Sequence, residues 1–280
     1  MVIYKKFVKK PNVILSLSKD AVIYKKFFIV KKTLLFFVYL TILLCCSCTY
    51  TPWHREQAEL FLNKGISYIS AGQYNSALKE LLESEKYYSG NPKVHYYLGM
   101  SYHGKGMKDA AIEEFKEAIS LDENYSEAHN YLGTLYLDSG LWDQAVEEFE
   151  KALSNHLYDT PAMALYNMAW AYYLKKDYNK ALAKYQEALN IDPRTSLRPQ
   201  IEKNIGLIYF DQNSFLEALR HFKKSVELDS LLVDAQFLLG QCYYRTEDHK
   251  NAQKAFQAVV KLSPDSSFGQ RAKNYLKSLQ

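Results

Sequence analysis

The chain has 280 residues, with 35 Lys and Arg against 31 Asp and Glu, for a formal charge of +4. The surplus is confined to the first 32 residues, which hold nine lysines and one acid, Asp20, so the remaining 26 bases face 30 acids. A body of that balance lacks the basic field that nucleic-acid binding requires, and nucleic acid is excluded as a partner.

From the amino terminus, Lys25, Lys26, Lys31 and Lys32 precede an apolar run from Thr33 to Leu44, which ends in Cys45, Cys46, Ser47 and Cys48. A cationic segment, an apolar core within the expected span of ~7–15 residues and a small residue before the cut make a signal peptide over residues 1–47. The run resembles lipoprotein signals, in which a small residue stands before a cysteine that receives lipid. Cys48, preceded by Ser47, is the expected lipidation site, and Cys46 is the fallback. Residues 48–55 are then a lipidated tether, with Thr49 to Arg55 reaching no more than about 25 Å at extended spacing. The alternative is an uncleaved anchor over Thr33–Thr49, shorter than the roughly 20 residues that cross a bilayer comfortably. Either way the lysines stay inside and the following residues lie beyond the inner membrane. Val2–Phe7 (VIYKKF) recurs as Val22–Phe27. If residues 1–21 are a mis-assigned start, translation begins near Val22 from a non-Met codon, the next Met being Met100, and the signal has ordinary length.

From residue 56 to 264 the chain repeats itself with a period of 34 residues. A small residue, then Tyr, Ala and a bulky ring recur six times: Gly65/Tyr68/Ala77/Leu81, Gly99/Tyr102/Ala111/Phe115, Gly133/Tyr136/Ala145/Phe149, Ala169/Tyr172/Ala181/Tyr185, Gly206/Tyr209/Ala218/Phe222 and Gly240/Tyr243/Ala252/Phe256. Each unit predicts two helices whose small residues meet at the crossing, with Tyr and Phe filling the space beside them. Gly72, Gly106, Gly140 and Asn213 stand between the helices, where a left-handed residue ends the first one. Lys176 and Glu247 hold that place in the fourth and sixth units, so those two turns are expected to be less well defined. The pattern resembles the tetratricopeptide repeat. The resemblance implies an all-α, right-handed superhelical solenoid of six helix pairs that binds proteins and does no catalysis.

In such repeats the first helix of each pair lines the concave groove. Register then assigns the inner wall to Leu62, Ile66 and Ile69; Tyr96, Met100 and His103; Asn130, Thr134 and Leu137; Tyr166, Trp170 and Tyr173; Lys203, Leu207 and Phe210; and Phe237, Gln241 and Tyr244. Aromatic anchors in a concave wall suit capture of an apolar helix or extended segment. Chaperone-binding members of the family grip a terminal carboxylate with Lys, Asn and Arg from adjacent repeats. Here Asn130 and Lys203 are the only comparable groups, two repeats apart, and such a clamp is not expected.

No phosphate loop, nucleophile elbow or HExxH occurs, and neither cofactor nor small-molecule substrate is expected. Cys242 is the single thiol within the repeats and reads as a small buried hydrophobe. His95 and His129 share one repeat position without Glu or Cys at ligand spacing, so no metal is expected there. Residues 265–280 form the last element. A helix over Ser267–Leu279 carries Phe268, Ala272, Tyr275, Leu276 and Leu279 on one face and caps the stack.

Between the third and fourth repeats the spacing lengthens to 36, with Leu157-Tyr158-Asp159-Thr160-Pro161 followed by Ala164-Leu165-Tyr166-Asn167. This stretch, six repeats and a cysteine just before them resemble the type IV pilus biogenesis and stability lipoproteins, the pilotins. The weak lipobox and the extra loop Arg194–Pro199 depart from that pattern. The resemblance implies an outer-membrane lipoprotein that carries secretin subunits to their membrane and assists their assembly, Cys48 supplying the address and the groove the grip. The alternative is a periplasmic adaptor lipoprotein, at the outer membrane or anchored to the inner one, that recruits cell-envelope enzymes or outer-membrane assembly factors.

Overall fold

A computed structural model describes residues 51–279, and the signal segment, Cys48 and the duplicated VIYKKF lie outside the described residues. The described residues hold thirteen α-helices and no strand. In chain order they are α1 (Pro52–Ser70), α2 (Tyr74–Tyr87), α3 (Pro92–Gly104), α4 (Lys108–Leu121), α5 (Ser126–Asp138), α6 (Trp142–Ser154), α7 (Pro161–Leu174), α8 (Tyr178–Ile191), α9 (Arg198–Asp211), α10 (Phe215–Leu228), α11 (Val233–Arg245), α12 (His249–Leu262) and α13 (Ser267–Ser278). A compact unit begins at Glu56. The first twelve helices pair as six antiparallel hairpins, each stacked on the next, and α13 closes the end against α12 and α11.

The helix starts are written locally. Asn91, Asp177, Asp248 and Ser266 each accept a backbone N–H of the helix that follows, and proline occupies the first turn of α3, α7 and α9, where its missing N–H costs nothing.

Within a hairpin the small residue makes room first for the ring of the second helix, and at Gly206 the Ala218 carbonyl follows at 3.3 Å. A Cβ placed on Gly99, Gly133, Gly206 or Gly240 meets the ring of Phe115, Phe149, Phe222 or Phe256 at 2.7–2.8 Å. The absent side chain is therefore the socket in which a fully buried aromatic sits. Gly65 plays the same part for Leu81 at 2.6 Å.

The expectation of loose turns at Lys176 and Glu247 is corrected. Both adopt left-handed backbone, φ 61° and 59°, like Gly72, Gly106, Gly140 and Asn213. Their bonds are also the same: Lys176 N donates to Tyr173 O at 2.8 Å and Asp177 N to Tyr172 O at 2.9 Å, as Gly106 N does to His103 O and Met107 N to Tyr102 O. The packed helices on either side dictate this turn, and a side chain there adds strain without changing the geometry.

First helices of neighbouring repeats reach one another, α5 with α7, α7 with α9 and α9 with α11, while second helices do not pack together to that extent. The stack therefore curves with its first helices on the inner side, an all-α superhelical repeat fold.

Candidate functional site: the inner wall

The residues assigned to the inner wall lie half-buried along consecutive first helices, with two exceptions. Leu62 and Phe237 are each 1% exposed. Phe237 does not offer a binding surface, because α13 covers it: Phe268 lies 5.3 Å away, Tyr275 6.0 Å, and the Arg271 guanidinium sits 4.4 Å over its ring. Register alone cannot distinguish an inner residue from one roofed by the terminal cap.

The polar groups of the wall are largely spent on the wall itself, and each bond crosses from one repeat to the next. His103 Nδ1 lies 3.1 Å from the Tyr131 hydroxyl. Asn167 donates to Asn130 at 3.2 Å and to Thr134 at 3.4 Å. Asn204, buried, donates to the hydroxyls of Tyr166 at 3.3 Å and Tyr185 at 3.0 Å. Tyr173 donates to Asp211 at 2.8 Å, Lys203 pairs with Asp234 at 2.7 Å, and Gln241 donates to Tyr275 of the cap at 3.0 Å. Sequence reasoning missed these partners. Tyr131, Asn167 and Asn204 share one position, next to the assigned Asn130, Tyr166 and Lys203, so the signal was a polar or phenolic residue recurring in that register.

Lys203 is already paired with Asp234, and Asn130 accepts from Asn167 through its Oδ1. What remains open is apolar: Met100, Leu137, Trp170, Leu207, Phe210 and the ring of Tyr244. Trp170 stacks on Tyr173 at 4.7 Å, and Tyr244 meets Tyr275 edge-on at 5.1 Å. Burial pushes the phenols of Tyr96 and Tyr173 above their ordinary range, the latter further raised by its bond to Asp211. Both therefore act as neutral hydroxyls. Cross-braced rings of this kind form a pre-ordered apolar surface, suited to gripping apolar side chains at little ordering cost.

The histidines are structural. His95 Nδ1 lies 2.9 Å from Glu114 and Nε2 3.1 Å from the Ser89 carbonyl. His129 repeats this with Glu148 at 2.6 Å and Glu123 O at 3.2 Å. In the fifth repeat the two residue types exchange places, with His221 on the second helix 2.8 Å from Glu202 on the first. Each pair ties one helix of a hairpin to the other. Among the described residues no three His, Cys, Asp or Glu side chains converge to hold a metal. Cys242 is buried, its Sγ donating to Phe215 O at 3.1 Å, and burial pushes its pKa up to about 11. No described helix is long and apolar enough to cross a membrane.

Tetratricopeptide repeat family models match residues 92–125, 125–194 and 204–267. Among solved structures, the chain superposes on Pseudomonas aeruginosa PilF with a TM-score of 0.69 at 15% identity, covering 79% of this chain and 98% of that one. PilW, a widely conserved type IV pilus biogenesis factor, gives a TM-score of 0.71 at 19% identity, covering 77% and 98%. YrrB, a repeat protein with an unusual peptide-binding site, gives 0.51 at 19% identity, over 69% and 97%. At these identities the likeness is one of fold. Curated relatives match over shorter stretches: a Drosophila melanogaster homologue of the BBSome member BBS4 is 29% identical over 93 residues, and the human homologue of intraflagellar transport protein 88 is 25% identical over 110. These matches span 33% and 39% of this chain but only 18% and 13% of those proteins.

Proposed function

We propose a function from one premise, that the chain belongs to the tetratricopeptide repeat family, whose members bind protein partners. The inner wall holds an apolar segment of a partner, and the partner is a component of type IV pilus biogenesis, the outer-membrane secretin subunit. Cys48 carries the lipid that keeps the repeats at the periplasmic face of the outer membrane. The observation carrying this reading is the wall itself, whose polar groups are satisfied by neighbouring repeats and whose unengaged surface is aromatic and aliphatic. Two pilus factors whose folds are matched over 98% of their own length support the choice of system, as does the Leu157–Asn167 stretch.

The test is the amount of heat- and detergent-resistant secretin multimer in outer membranes of wild-type, deletion, Cys48→Ser and Trp170→Ala/Phe210→Ala strains. Multimer is expected to fall in all three mutants. Unchanged multimer with an altered cell-wall profile would transfer the function to an envelope-enzyme adaptor.

A further inference from the structure

The connections between repeats form one edge of the stack, and that edge is both apolar and acidic. The six connections, residues 88–91, 122–125, 155–160, 192–197, 229–232 and 263–266, hold six carboxylates (Asp122, Glu123, Asp159, Asp192, Asp229 and Asp265) and one guanidinium, Arg194. The hairpin turns at the opposite edge are balanced, with Lys105, Lys175 and Lys176 against Asp177, Glu247 and Asp248. On the acidic edge stand Leu157, 87% exposed, and Leu231, 70% exposed. Neither hangs loose: Leu157 N donates to Asn155 Oδ1 at 2.9 Å and Leu231 N to Asp229 Oδ1 at 3.0 Å.

A cavity of about 750 Å³ opens in this edge between the two longest connections, those flanking the fourth repeat. Leu157, Met163, Ile191 and Leu197 supply its apolar lining and Asp159 and Asp192 its negative charge, with the Arg194 guanidinium and the His156 imidazole also on the wall. Its volume is within the range of pockets that bury a small ligand or a few side chains. Its charge repels an anionic surface and favours a cationic one.

We propose that this cavity is a second binding site, which takes a segment of a partner protein presenting an aliphatic or aromatic side chain beside lysine or arginine. The site is separate from the inner wall, so one solenoid can hold two segments at once.

The test uses the full chain and a fluorescein-labelled peptide of alternating leucine and lysine, with a leucine–glutamate peptide as counterpart, followed by fluorescence anisotropy. The leucine–lysine peptide is expected to bind and the leucine–glutamate peptide to fail. Asp159→Asn/Asp192→Asn, which keeps the oxygen that accepts Arg194 N, and Leu157→Ser are each expected to weaken binding by about tenfold or more, the loss of one buried anchor or of charge pairing. Leu216→Ser, on the second helix of the fifth repeat and outside both sites, is expected to change nothing. Equal affinity across the edge variants, or a loss as large in Leu216→Ser, overturns the proposal. So does a Leu157-dependent dimer in sedimentation, which assigns the edge to a second copy, or Leu157-dependent binding to vesicles of anionic phospholipid, which assigns it to a membrane.

Discussion

His95 is 5% exposed and its two ring nitrogens face a carboxylate and a carbonyl, groups that only accept, so the ring is an imidazolium when both bonds are made. Burial pulls its pKa down, but the bonds to Glu114 and the Ser89 carbonyl outweigh that and leave it above the ordinary value of 6.5. For Glu148 and Glu202, burial pulls upward. The bonds from His129 and Lys151, and from His221 and Lys224, prevail and leave both below the ordinary 4.5. A raised histidine stabilises the fold fully below 6.5 and loses that contribution as pH rises through its folded pKa. The depressed glutamates stabilise above 4.5 and lose theirs as pH falls through their folded pKa. Melting temperature against pH is therefore expected to peak between about 4.5 and 6.5, and His95→Asn should flatten the alkaline limb while leaving the acid limb. Glu202, with its side chain 2% exposed, faces Lys224 at 2.7 Å, His221 at 2.8 Å and Arg198 at 3.9 Å. Glu202→Ala should cost about 3 kcal/mol in urea denaturation, the low end for a broken buried pair because Lys224 and Arg198 remain partly solvated. None of this was legible in the sequence, because each pair joins residues 19 apart on different helices and the fifth repeat reverses their order. The Gly–ring socket was half legible. The recurrence marked both residues, but which of them touch follows only from the crossing geometry. In Gly133→Ala the new methyl would lie 2.7 Å from Phe149. Overpacking at ~1–3 kcal/mol, offset by ~1 kcal/mol of helix propensity, predicts a net loss of roughly 1 kcal/mol.

At the scale of elements, all twelve repeat helices and the cap were readable, because a 34-residue period carries both helical faces and the turn at once. The turns at Lys176 and Glu247 were misread because local preference was weighed without the packing that overrides it. Their strain is removable. Lys176→Gly and Glu247→Gly should each raise stability by about 0.5–1 kcal/mol, the left-handed penalty less the extra freedom glycine gives the unfolded chain, measurable as a shift in melting temperature. An unchanged or lowered melt would show that these side chains make stabilising contacts that outweigh the strain. The cap was legible from its apolar face, and Phe268, Ala272, Tyr275, Leu276 and Leu279 pack together with Phe237 and Phe256. Tyr275 lies parallel to Phe256 at 4.6 Å. A chain ending at Pro264 would expose both phenylalanines, and aggregation or a clear fall in melting temperature is expected; an unchanged melt would contradict the capping role.

The whole molecule combines a rigid inner wall with an acidic outer edge, and both follow from the same repeat. Side chains pointing inward from successive first helices brace one another through bonds such as Asn167 to Asn130 and Asn204 to Tyr166. Those bonds leave an aromatic and aliphatic face. Register could not foresee the burial of Leu62, or that of Phe237, which the cap covers where the stack ends. The central claim, that this wall grips a pilus-assembly partner, is tested most directly by placing a photo-crosslinking amino acid at Leu207 on the inner wall and, separately, at Leu216, 74% exposed on the second helix of the same repeat. Irradiation in living cells is predicted to join the secretin subunit to position 207 and not to position 216. Crosslinks from position 216 alone, or from neither, would contradict the account.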